Sequence, residues 1–100
     1  MGDRPLYSKN IIDVARDPTI SKSAKALYLV LCTYRNTNTN TAWPTNDTLT
    51  ECLGSDRWQI GKWMKELEDK KVISVTYEKH YKDKYQVRII TFLHDYSDKN

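Results

Sequence analysis

The 100-residue sequence predicts an α+β domain of three main helices and a two- or three-stranded antiparallel sheet, and three observations carry that expectation. Apolar residues recur at helical spacing over 21–36 and again over 57–71. From Val72 a period of two replaces that spacing. Between the two patterns, the stretch from Thr45 to Ile73, TNDTLTECLGSDRWQIGKWMKELEDKKVI, sets a glycine turn between a short helix and a better specified one.

Taken in order, residues 1–10 are polar with a proline at Pro5 and read as a flexible arm, with Leu6 and Tyr7 as its candidate contacts. The folded domain is expected over 11–93. Ile11, Ile12 and Val14 make a short apolar patch that either packs on the first helix or crosses to a second protomer. Asp17-Pro18-Thr19-Ile20-Ser21 is a turn leading to a helix cap. In SKSAKALYLVLCTYRN, Ala24, Leu27, Tyr28, Leu31 and Tyr34 follow helical spacing; with Leu29, Val30 and Cys32 also apolar, this helix is the expected centre of the core. Asn36 to Thr41 is a polar loop, and Thr41-Ala42-Trp43 has room for a short strand.

Pro44 bars a helix from upstream, Thr45 is the N-cap candidate of the next one, and Leu49 and Leu53 form an i, i+4 pair facing Ile60 and Trp63. Gly54 supplies a left-handed cap for the turn. Asp56 and Gln59 have the spacing of a capping box, which starts a helix near Arg57. Ile60, Trp63, Met64 and Leu67 then fall on one stripe, leaving Arg57, Trp58, Gly61, Lys62, Lys65 and Glu66 on the opposite or flanking faces. Val72 to Glu78 alternates as a half-buried strand. Tyr85 to Leu93 is its partner, with room for a bulge at Ile89-Ile90, and Lys79 to Lys84 forms a charged tip. Residues 94–100 are a polar tail.

A chain of this length buries about two-thirds of its unfolded surface without disulfides or metals. The formal net charge of +3 is unevenly spread. Residues 1–56 hold six Lys/Arg and six Asp/Glu, residues 57–88 nine and five, and residues 89–100 one and two, so the positive excess lies in the second helix of the pair and in the hairpin after it. Such a footprint suits a polyanion partner, although a solvated face accounts for charge alone equally well. Cys32 and Cys52 form no C-x-x-C pair and read as buried free thiols in a reducing compartment. With no run of 18 apolar residues and no signal-peptide pattern, a cytoplasmic location without membrane contact is expected.

At DPTISKSAKALYLVL, AWPTNDTLTECLG and WMKELEDKKVI, the chain resembles the winged helix-turn-helix domain of bacterial plasmid and phage replication initiators and related DNA-binding proteins, over roughly Ile12 to Phe92. The resemblance implies double-stranded DNA as partner, with the second helix presented to the major groove and the hairpin as a wing. Two residues depart from it: where the family opens its second helix with small polar or basic residues, this chain has the bulky Trp58 and, a turn later, Gly61.

The expected DNA contacts are Thr45 and Asn46 at the first helix of the pair, and Arg57, Trp58, Lys62 and Lys65 on the second. Lys79, His80, Tyr81, Lys82, Lys84 and Arg88 are expected from the wing. Plain capping explains Thr45 as well as phosphate contact does. For Trp58, packing in the core against the wing or at an interface is favoured over stacking on sugar or backbone. No Gly-rich phosphate loop, H-E-x-x-H or serine elbow is present, and His80 and His94 stand far from either cysteine. No catalytic residue, cofactor, metal or small-molecule substrate is therefore assigned. A homodimeric accessory factor is expected, acting in replication, conjugative transfer, partition or transcriptional control, alone or within a larger replication or transfer complex. The competing class is a protein-interaction scaffold on the same fold.

Overall fold

The computed structural model describes residues 5–79 and 86–93. Four helices and three strands succeed one another as α1 (Pro5–Arg16), α2 (Lys22–Thr33), β1 (Thr41–Ala42), α3 (Asn46–Leu53), α4 (Arg57–Asp69), β2 (Ile73–Lys79) and β3 (Gln86–Phe92). Helix α1 is an addition to the three expected from the sequence, and the segment read as an arm is helical from Pro5 onward. Proline is at home in the first turn of a helix, where its missing N–H would have no partner. The other end of α1 is fixed by burial: Val14 is 1% exposed, and Ile11 packs against the core. The patch thus lies on the domain itself, with Ile12 left on the surface.

Helix α2 is the centre of the core, as its composition requires. Ala24, Leu27, Tyr28, Leu31 and Cys32 are buried, and Ser21 caps the helix by accepting from the Ala24 N–H at 3.2 Å. Tyr34, expected on the same stripe, and Leu29 are exposed, because the helix ends and its outer face is open there. Around α2 pack Leu49 of α3, Ile60, Met64 and Leu67 of α4, and Ile73, Ile90 and Phe92 of the sheet. Tyr28 and Phe92 meet edge to face, ring centroids 5.9 Å apart.

The sheet is antiparallel in the order β1-β3-β2. Register runs without interruption from Ile73 opposite Phe92 to Lys79 opposite Gln86, so the bulge expected at Ile89-Ile90 does not form. Ile90 turns to the core opposite Val75, and Ile89 turns to the other face. Since opposed residues share a face, Ile73, Val75 and Tyr77 lie on the same side as Phe92, Ile90 and Arg88. Along β2 burial falls away from Ile73, and Thr76 to Lys79 are exposed. Asn40, in the left-handed region at φ 60°, holds β3's end by donating from Nδ2 to the Phe92 carbonyl at 2.7 Å.

Candidate nucleic-acid interface

Three caps determine how the helix pair is presented. Thr45 Oγ1 accepts from the Thr48 N–H at 3.2 Å and starts α3. Gly54, at φ 63° and ψ 35°, closes it, with its N–H donating to the Thr50 carbonyl at 2.8 Å. Asp56 Oδ1 accepts from the Gln59 N–H at 2.9 Å and starts α4. With Ile60, Met64 and Leu67 buried, the opposite face of α4 is fixed outward.

That face carries Arg57, Trp58, Gly61, Lys62 and Lys65, all exposed. Trp58 does not close the core against the hairpin, one of the two packing sites favoured from sequence: its side chain is 72% exposed. Two positions ahead of Ile60, it lies about 200° around the helix from the buried stripe. Lys62 Nζ stands over the indole, 5.4 Å from the ring centroid, a cation–π contact. Arg57 Nη2 lies 3.4 Å from Asp47 Oδ1, and Lys65 Nζ 3.7 Å from Asp69 Oδ1. Both pairs are largely solvated, and such pairs contribute little and are readily exchanged for another anion. Through Asp47, in the first turn of α3, the outward face of α4 adjoins the start of α3.

Thr45 and Asn46 meet the hairpin rather than α4. With Trp43, Tyr77 and Arg88 they line a cavity of about 320 Å³ between the start of α3 and the outer half of the hairpin. Arg88 is not the exposed wing cation expected from sequence. It sits half-buried on the core side of the sheet, and its Nη2 donates to the Pro44 carbonyl at 3.4 Å. Its Nε is buried and has no hydrogen-bond partner among the described residues. Burial pulls its guanidinium below its ordinary pKa, and Tyr77 opposite acts the other way. Lys79 is exposed at the end of β2 on the same sheet face. His80, Tyr81, Lys82 and Lys84 lie outside the described residues.

Sequence reasoning missed the contribution of Trp43 and Tyr77 to the cavity. The signals available were a tryptophan held extended by the next residue, a proline, and a tyrosine at the far, uncovered end of an alternating strand. Among the described residues no helix is long and apolar enough to cross a membrane.

A three-helix core bearing a glycine-turned, doubly capped helix pair, with an antiparallel hairpin directly after it, defines a winged helix-turn-helix. Residues 19–73 match the family described as a helix-turn-helix domain, and the chain belongs to that family. Comparisons with curated proteins and with solved structures gave no match.

Proposed function

We propose that the protein binds double-stranded DNA sequence-specifically and without catalysis, as a small accessory protein of the plasmid or phage kind, with α4 and the wing as its contact surfaces. The observation that carries this reading is the outward face of α4. A helix anchored by three buried residues presents Arg57, Lys62 and Lys65 to solvent in the layout that seats a helix in the major groove. Membership of the helix-turn-helix family supports DNA as the partner.

Single modules of this size bind weakly, which favours a dimer on repeated half-sites. Leu29, 48% exposed, lines an apolar groove of about 170 Å³ between α1 and α2, Ile12 on α1 is 47% exposed, and this apolar surface supports contact with a second copy. The same patch supports the second reading, a protein-interaction scaffold.

Titration of labelled duplex pools against salt tests the two. With roughly four to six phosphates neutralised per protomer, log K falls with log salt at a slope of about −4 to −5, doubled for a dimer. Absence of any duplex shift at low salt overturns DNA binding in favour of the scaffold.

A further inference from the structure

Two residues of α4 are out of keeping with the fold that surrounds them. Gly61 is helical and exposed, a position where glycine weakens a helix relative to alanine. Yet a methyl group at its Cα would meet no atom within 4 Å. Internal packing therefore gives no reason for a missing side chain. Trp58, one turn earlier on the same face, departs in the opposite sense: the bulkiest side-chain type stands 72% exposed. A bare backbone beside a projecting indole is a surface shaped for close approach by something outside the chain. Lys62 Nζ stands over one face of the indole while the side chain as a whole stays largely exposed, which suits contact along an edge better than insertion between two bases.

Resting on the reading of the protein as a DNA binder, we infer that Trp58 and Gly61 together form an apolar reading element for thymine. The uncovered backbone at Gly61 lets α4 seat deeply in the major groove. That brings the Trp58 indole against the C5-methyl group, the one apolar feature by which a base pair is told apart there. Lys62 holds the indole in place and offers its ammonium to a phosphate.

The test uses duplexes selected from a random pool by the intact protein, each remade with single uracils, which lack only the methyl group. Wild type is expected to lose about fourfold in affinity at each contacted thymine, the equivalent of one buried methyl. Trp58→Ala is expected to bind thymine and uracil duplexes equally. Gly61→Ala is expected to raise the melting temperature and still lose at least about fivefold in affinity, the cost of one disrupted base contact. Wild-type indifference to every uracil overturns the inference, as does a Gly61→Ala protein that binds normally or is less stable. If no duplex is bound at low salt, DNA binding itself falls, and the inference with it; duplexes bound without these discriminations overturn the inference alone.

Discussion

Glu66, near the end of α4, caps the start of α2 from 45 residues away: its Oε2 accepts from the Ser21 N–H and its Oε1 from the Ser21 hydroxyl, both at 2.8 Å. Because the Ser21 hydroxyl gives its proton to Glu66, its oxygen is free to accept from the Ala24 N–H. The carboxylate also lies where the helix dipole favours negative charge. Lys70 Nζ adds a 2.8 Å bond to Thr19 Oγ1 beside it. Glu66→Ala is expected to lower stability by about 1–2 kcal/mol, discounted for partial exposure, and Glu66→Gln by less. Urea unfolding, with an unchanged m value, measures both.

Gly54 owes its place to backbone conformation. At φ 63° a β-carbon is strained even though no atom lies within 4 Å of its position. Gly54→Ala is expected to cost about 1 kcal/mol and Gly54→Asn less, read from thermal or urea melts.

Cys32 is 7% exposed, and burial pushes its thiol from the ordinary 9.0 up to about 11, with the Tyr28 hydrogen bond and Arg35 opposing. The folded state therefore keeps a proton that the unfolded chain releases. The stability this confers is full below about pH 9 and is lost as pH rises towards 11, by roughly 2 kcal/mol. Cys32→Ala is expected to be less stable at neutral pH but to show a shallower decline over that window. Cys52, exposed, is expected to react with a thiol reagent in the native protein, and Cys32 only on unfolding.

Under the proposed DNA-binding function, Lys79, Lys82 and Lys84 rival Lys62 and Lys65 as the expected phosphate contacts. Replacing the three wing lysines with alanine is expected to weaken DNA binding more than replacing the two of α4. Each lost phosphate contact makes the salt slope shallower by about 0.9. Anisotropy titrations at several salt concentrations give both quantities, and an equal or smaller loss from the wing variant contradicts the ranking.

Much of this architecture was legible in the chain because the signals were local. The Thr45 and Asp56 caps, the Gly54 turn and the Ile60–Met64–Leu67 stripe are each set by neighbours within one or two helical turns. Cys52 and Tyr34, read as core from their apolar neighbours, are exposed, their Sγ and hydroxyl 3.8 Å apart. Helix α1 escaped notice because its first half lacks apolar periodicity and its burial depends on α2. The same spacing that placed Ile60 inward already turned Trp58 outward; its bulk suggested packing, but position on the helix decided. Arg88 was grouped with the wing tip by charge, whereas strand parity with Ile90 and Phe92 put it on the inner face. Glu66 passed for ordinary surface charge, since nothing near it in sequence announces Ser21.

Arg88 is half-buried before any partner arrives, its Nε buried and facing no acceptor among the described residues. Stripping water from a guanidinium is usually part of the work of gripping an anion. Here folding has already done part of that work in the outer half of the hairpin, so an oxygen ligand entering the space beside Trp43 and Tyr77 would meet a donor partly stripped of water.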